Sequence, residues 1–313
     1  MINLTLKQFR YFEALARHAH FGRAAEACAI SQPALSMQIK EMEETLGTAL
    51  FERGTRTVLL TGFGEELALR LRPILRAVDE LEDLARASKD RLAGRLRIGV
   101  IPTVAPYLLP TIIGNLTRAN ADLDIHVRET VTPKLLADLA EGRLDTAIVA
   151  LPVSEPSLTE VALFSEEFVL VRPIEDSNKP VPSRELLREM RLLLLEEGHC
   201  FRDQALSFCN MQASLPRELL DGSSLTTLVQ MVSAGIGVTL IPEMAVAVEA
   251  RSGAVSIARF PSPEPRRTIG MVWRKSSPLA RQLTQIAEVV KASAATLRAR
   301  HAWPETGQPS GAR

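Results

Sequence analysis

The sequence predicts an α/β protein of two unequal parts joined by one long helix. Three observations carry that prediction. Apolar residues recur three and four apart through most of the stretch from Thr5 to about Lys89, which marks the N-terminal part as mainly helical. Beyond Arg91 short apolar runs alternate with helical stretches, the pattern of a doubly wound sheet. At 313 residues, with 46% hydrophobic residues, the chain is long enough for two domains with substantial cores.

The first helix is marked by Leu6, Phe9, Phe12, Leu15 and Ala16. A short alanine-rich helix follows from Phe21 through Ala24-Ala25, and small residues let another helix approach closely. Ser31 is a natural N-cap and Pro33 suits the first turn of the next helix, which together read as a helix-turn-helix. In its second helix Leu35, Ile39 and Met42 face inward. Gln32, Ser36, Gln38 and Lys40 are left outward, side chains suited to base edges and phosphates. The alternative for this segment is an ordinary helical hairpin. The run from Leu46 to Thr61 reads as a turn and a two-stranded wing with Arg53 and Arg56 near its tip, placed for phosphates or the minor groove. Cys28 reads as a small core hydrophobe.

From Thr61 to about Lys89 the residues Leu67, Leu71, Ile74, Val78, Leu81 and Ala85 alternate four and three apart, the seam of a coiled coil. Pro73 interrupts the amide donors there, so a kink is expected. The α/β part opens with a strand from Gly94 to Ile101, a helix through Leu108 to Leu116, a strand from Leu123 to Glu129, a helix from about Pro133 to Glu141 and a strand from Asp145 to Ala150. Ligands of such sheets bind beyond the carboxyl ends of the strands, where Thr103 and Thr132 offer hydroxyls. A second unit holds strands at Phe168 to Val171, Arg191 to Leu195 and Val238 to Pro242, and the chain returns through Thr268 to Trp273 to a last helix ending near Arg300. The expected division is 1–61 for the winged domain, 62–90 for the linker helix and 91–313 for a two-lobed domain. Its first lobe takes about 91–163 and 268–300, its second about 164–267, and residues 302–313 are expected to be a disordered tail.

Lysine plus arginine number 37 and aspartate plus glutamate 37, so the neutral chain argues against non-specific coating of nucleic acid or membrane while leaving room for a local DNA-reading surface. No apolar leader and no membrane-spanning run is present, which points to the cytoplasm. Three cysteines in a reducing compartment are no structural disulfide framework. No metal site and no cofactor is expected.

Two cysteines fall in the stretch from Glu196 to Cys209. Gly198 breaks what precedes, and Phe201, Ala205 and Phe208 recur at helical spacing, so a helix is expected to begin near Cys200. Nine residues of helix would set the two Cα atoms roughly 13–15 Å apart, whereas a disulfide needs them within about 7 Å. A bond between them would require the helix to unwind; the spacing alone leaves open whether they bond. A helix N-terminus with His199 and Arg202 adjacent favours a thiolate at Cys200. The alternative is two buried thiols and a surface histidine.

Ala24-Ala25, Ser31-Gln32-Pro33-Ala34-Leu35-Ser36, Leu50-Phe51-Glu52-Arg53 and Leu60-Thr61 with Gly64 stand in the order of the winged helix-turn-helix of LysR-type transcriptional regulators, which this sequence resembles. The resemblance implies binding to a double-stranded DNA operator, contact with RNA polymerase, a dimerising linker helix with dimers paired into tetramers, and a two-lobed effector domain like that of periplasmic solute-binding proteins. Gly198-His199-Cys200-Phe201-Arg202-Asp203-Gln204-Ala205 with Phe208-Cys209 resembles the redox segment of the hydrogen-peroxide-sensing members of that family. Ile101 to Pro110, Pro263 to Gly270 and Ser276 to Leu279 continue the resemblance over nearly the whole chain.

Carried over to this sequence, Cys200 is implied to be the cysteine that peroxide oxidises to sulfenic acid and Cys209 the one that closes a disulfide. Thr103, Thr132, His199 and Arg267 are implied to line the peroxide pocket, with Arg202, Asp203 and Ser224 as further candidates. Asp203 and Ser224 have helix-end roles as alternatives, Thr103 a strand-end turn and Arg267 a surface charge. A glutaredoxin- or thioredoxin-like dithiol would reset the switch. Two other functions stay open: a regulator gated by a small-molecule effector, with incidental cysteines, and a thiol peroxidase, which leaves the N-terminal domain unexplained.

Overall fold

In the computed structural model, which describes residues 4–53, 58–87, 93–209, 221–251 and 253–300, the chain divides between Ala85 and Arg86 into two compact units. The first opens with α1 (Leu6–His18), α2 (Phe21–Ala27) and α3 (Gln32–Leu46). Thr5 starts α1 with a capping box closed by Gln8, and the Ser31 hydroxyl starts α3 by accepting the Ala34 amide at 3.3 Å. Phe12, Leu15, Leu35, Ile39 and Met42 form the middle of one core, with Cys28 packed at its margin. The wing is the antiparallel pair β1 (Phe51–Arg53) and β2 (Val58–Leu60). A Cβ at Gly64 would run into the Leu50 carbonyl, so the chain leaves the wing through a glycine.

The long helix α4 (Gly62–Ala87) continues through Pro73. Its stripe is not one uniform seam. Leu67 and Leu71 pack against the winged unit's own core, whereas Ile74, Leu81 and Leu84 stand 47%, 65% and 58% exposed. An apolar face is thus left on the second half of the helix.

The second unit begins with β3 (Gly94–Val100), α5 (Ala105–Ala119), β4 (Leu123–Glu129), α6 (Thr132–Ala140) and β5 (Thr146–Leu151). β3 lies between β4 and β5, parallel to both. Then follow β6 (Leu158–Pro173), α7 (Arg184–Glu189), β7 (Leu192–Leu195), α8 (Cys200–Phe208), β8 (Asp221–Gly222), α9 (Leu225–Ser233) and β9 (Val238–Pro242). α10 (Val246–Glu249), β10 (Val255–Arg259), β11 (Arg266–Arg274) and α11 (Ala280–Arg300) complete the described chain. The strand order is β4-β3-β5-β11-β6-β9-β7-β8, with β10 paired to β6.

β6 and β11 carry the chain between two lobes. The first half of β6 pairs with β11, and its second half pairs with β9 and β10. One core gathers β3, β5, α5, α6 and α11; the other gathers β7, β9, α8, α9 and the second half of β6. The strand expected at Phe168 to Val171 is only the end of β6. Glu160, Ser165, Glu166 and Glu167 break the apolar pattern of its earlier half and hide it from a reading by periodicity.

Candidate functional site

The segment from Glu196 to Cys209 folds as the spacing predicts. Gly198 takes φ +91, a conformation that favours glycine, and α8 starts at Cys200 with His199 as its N-cap. Cys209 is the C-cap, its amide donating to the Ala205 carbonyl at 3.0 Å. At a rise of about 1.5 Å per residue the two cysteines are separated by about 13 Å along the axis. Both thiols are free.

The two thiols belong to different cores. Cys200 is half-buried and packs against the first lobe, while Phe201, Ala205, Leu206 and Cys209 lie in the core of the second. Cys209 is fully buried, and burial pushes its thiol up from 9.0 to about 11 against the opposing pull of Arg188 and Arg184. This end of α8 is anchored three ways. The Phe208 ring lies 5.0 Å from that of Phe260, Arg184 stands 4.6 Å over Phe208, and Arg188 Nε donates to the Cys209 carbonyl at 2.7 Å.

At the other end, Thr103 follows β3 and is 2% exposed. Its Oγ1 accepts from Arg267 Nη1 at 2.8 Å and its carbonyl from Arg267 Nη2 at 3.1 Å. Because Oγ1 accepts the guanidinium proton, the hydroxyl's own proton is directed to another acceptor. Arg267 is no surface charge: its side chain is wholly buried, it lies 5.2 Å over the Phe201 ring, and its Nη2 and Nε meet Glu166 Oε1 at 2.7 and 2.8 Å. Burial raises the Glu166 carboxyl, with Arg267 opposing that rise.

Thr132 opens α6, just beyond the carboxyl end of β4. Gly198 packs against the adjacent Val131, a Cβ there falling 3.6 Å from Val131 Cγ2, so the turn that precedes Cys200 runs beside Thr132. The buried Thr132 Oγ1 has no hydrogen-bond partner, and neither has Gln204 Oε1, which shares with Cys200 one face of α8 at a spacing of four. Orphaned buried acceptors mark places where a water or small polar ligand fits.

The remaining candidates are distributed less uniformly. His199 is buried, and burial lowers its imidazole below the ordinary value with Glu196 opposing, which favours the neutral ring over a cation beside the sulfur. Buried Arg202 donates from Nη1 to the Leu195 carbonyl at 2.8 Å. Asp203 is exposed in the first turn of α8, and Ser224 caps α9 by accepting the Thr227 amide at 3.2 Å. Sequence reasoning missed Glu166, and it missed the buried contact in which Tyr107 donates to Glu249 Oε1 at 2.8 Å. A pair of carboxylates interrupting a strand, Glu166-Glu167, was the available signal for the first.

On the winged unit, Gln32 and Lys40 are exposed on α3 and Ser36 and Gln38 are half-buried. Gln38 Nε2 donates to Glu41 Oε2 at 2.7 Å, and Lys40 pairs with Glu44 at 3.6 Å. Arg53 ends β1, its side chain lying outside the described residues, as does Arg56 altogether. No helix among the described residues is long and apolar enough to cross a membrane.

Comparison with known proteins agrees with this architecture. Residues 6–65 match the family described as bacterial regulatory helix-turn-helix protein, lysR family, and residues 89–295 the LysR substrate binding domain. The DNA-binding transcriptional dual regulator OxyR of Escherichia coli K12 is 42% identical over 293 residues, covering 92% of this chain and 95% of that protein. The hydrogen peroxide-inducible genes activator of Haemophilus influenzae is 39% identical, over 92% of this chain and 96% of its own. Among solved structures, a full-length cysteine-to-aspartate variant of OxyR from Pseudomonas aeruginosa superposes with a TM-score of 0.73 at 37% identity, over 92% of this chain and 95% of the other. A cysteine-to-serine variant of Corynebacterium glutamicum OxyR, bound to H2O2, gives 0.66 at 35% identity, over 96% and 95%. Winged N-terminal unit, long helix and two-lobed sheet are therefore those of a transcription regulator and not of an enzyme: the chain belongs to the LysR family and closely resembles OxyR.

Proposed function

We propose that this chain is a hydrogen-peroxide-sensing, DNA-binding transcriptional regulator that switches by a reversible disulfide between Cys200 and Cys209. The observation that carries the reading is the placing of the two thiols. Cys200 heads α8 next to Phe201, over whose ring lies the Arg267 that holds Thr103, and Cys209 closes the same helix inside the core of the other lobe. The names of the relatives, which include hydrogen peroxide-inducible genes activators, point the same way.

In this reading peroxide enters beside Cys200, oriented by Thr103 and Thr132, with Arg267 holding Thr103. The Cys200 sulfur, reacting as its thiolate, attacks one peroxide oxygen; the O–O bond breaks and the other oxygen leaves as hydroxide, which takes a proton to become water. The product is sulfenic acid. α8 then unwinds, and the Cys209 thiol displaces a second water to form the disulfide. Unwinding does two things at once: it closes the distance, and it takes Cys209 out of the environment that keeps its thiol protonated.

The altered segment changes how effector domains pair, and through the apolar face of Ile74, Leu81 and Leu84 on α4 the winged units of a dimer or tetramer move on their operator. Gln32, Ser36, Gln38 and Lys40 with Arg53 and Arg56 contact DNA, and the rearrangement alters contact with RNA polymerase. A cytoplasmic dithiol reductant restores the thiols. Intact-mass measurement tests the reading: one equivalent of peroxide removes two hydrogens from the wild type and none from a Cys200→Ser variant. A wild-type mass unchanged by peroxide refutes it. Footprints of reduced and oxidised protein on the same operator test the output.

A further inference from the structure

We propose that Glu166 is a positioning residue for the peroxide reaction: it holds Arg267 from behind and thereby aims the Thr103 hydroxyl proton at the departing peroxide oxygen. The inference rests on the peroxide-sensing reading and deepens it. Glu166 on β6 and Arg267 on β11 are direct cross-strand partners. Both are buried, with side chains 2% and 0% exposed. Glu166 Oε1 takes the Nε and Nη2 edge of the guanidinium at 2.8 and 2.7 Å. Nη1 is then directed to Thr103 Oγ1 at 2.8 Å, and Nη2 also reaches the Thr103 carbonyl at 3.1 Å.

A planar guanidinium clamped on one edge by a carboxylate has its other donors fixed in direction. That fixed donor decides the rotor of the threonine. With Oγ1 accepting from Arg267, the hydroxyl proton points to a different acceptor, and an oxygen leaving as hydroxide is the strongest acceptor the reaction creates. Cys200 sulfur gains the first oxygen; the second, stabilised by the Thr103 hydroxyl as the O–O bond breaks, is protonated to water. Glu166 itself touches neither atom. Its second oxygen accepts the Met244 amide at 3.3 Å, so the clamp is also tied to the second lobe.

The test compares two reactions of Cys200 in the full chain, oxidation by H2O2 and alkylation by iodoacetamide, each followed by rapid quench and intact mass. Glu166→Gln is expected to slow oxidation at least about tenfold while alkylation, which needs no oriented peroxide, changes less than about twofold. The Glu166→Gln, Thr103→Val double variant should be no slower than Thr103→Val alone, because the two act in series. Independent, multiplying effects overturn the proposal, as does equal slowing of both reactions. If Glu166→Gln fails to fold by circular dichroism, Glu166→Asp is measured instead: its carboxylate is withdrawn by about 1.5 Å, one carbon–carbon bond, and oxidation must again slow selectively. Unslowed oxidation by that variant overturns the proposal. A wild type that reacts with H2O2 no faster than a cysteine peptide sinks the peroxide reading itself, whereas a fast wild type with unslowed variants sinks the role of Glu166 alone.

Discussion

If disulfide closure waits for the C-terminal end of α8 to leave the second lobe, loosening that end should speed closure and leave the first oxidation untouched. Phe208→Ala is the perturbation. It removes an edge-to-face ring pair with Phe260 at 5.0 Å and the contact with the Arg184 guanidinium at 4.6 Å. The ring pair contributes about 1 kcal/mol, and a partly exposed cation–π contact about 0.5 kcal/mol. Together they hold the helix end by about 1.5 kcal/mol, which corresponds to about a tenfold change in rate if the anchor is already broken in the transition state for closure. The buried Cys209 and the Arg188 bond to its carbonyl remain, so the helix still forms. The assay mixes reduced protein with excess H2O2, quenches with acid and alkylating agent, and separates thiol, sulfenic acid and disulfide by mass. The sulfenic step should match the wild type within about twofold, while disulfide accumulates about tenfold faster. An unchanged or slower closing step would mean that this end of α8 is not what is released.

Three further outcomes follow from the buried groups. The Cys209 thiol is raised in the fold, so the folded state keeps its proton more tightly than the unfolded state; the stability this contributes is full below pH 9.0 and is lost as pH rises towards about 11. Denaturant titrations between those limits should show the wild type losing up to about 2–3 kcal/mol more than Cys209→Ala. Arg267→Ala strands the Glu166 carboxylate in the core and should cost about 3–5 kcal/mol in urea unfolding, with part of the loss recovered in an Arg267→Ala, Glu166→Ala double variant. Thr132→Val replaces a hydroxyl that has no partner with a methyl of similar shape; stability should be unchanged or higher by about 1 kcal/mol, while peroxide oxidation of Cys200 slows, a combination that a purely structural threonine would not produce.

How much was legible in the sequence depends on whether an element carries a local signal. Helices with caps and a stripe were: Ser31 with Pro33, and Gly198 before Cys200, mark helix starts through chemistry confined to one turn. The first half of β6 was not, because Glu166 and Glu167 there are satisfied by Arg267, Arg259 and Arg266, residues about a hundred positions away. The same cause hid the clamp on Thr103. The mixed fate of the α4 stripe has a similar origin: Leu71 and Leu81 occupy equivalent-looking positions, and only the placement of the winged core decides that one is buried and the other exposed. His199 shows the limit for charge. Adjacency to Cys200 made it a candidate cation, but burial favours its neutral form.

The division of the two cysteines between two cores also bears on the equilibrium, through the same Phe208→Ala change. Packing that exists only in the reduced fold stabilises the dithiol over the disulfide and makes the pair a stronger oxidant, easier for a cellular dithiol to reduce. Every 1.4 kcal/mol of such packing raises the potential of the two-electron couple by about 30 mV. Removing about 1.5 kcal/mol of anchoring at Phe208 should therefore lower it by about 30 mV, measurable by equilibrating the protein in glutathione or dithiothreitol buffers and reading the disulfide fraction by mass. A potential unmoved or raised by the substitution would show that Phe208 keeps its contacts in the disulfide form, and would require a path in which α8 opens from the Cys200 end, where Arg267 rests on Phe201.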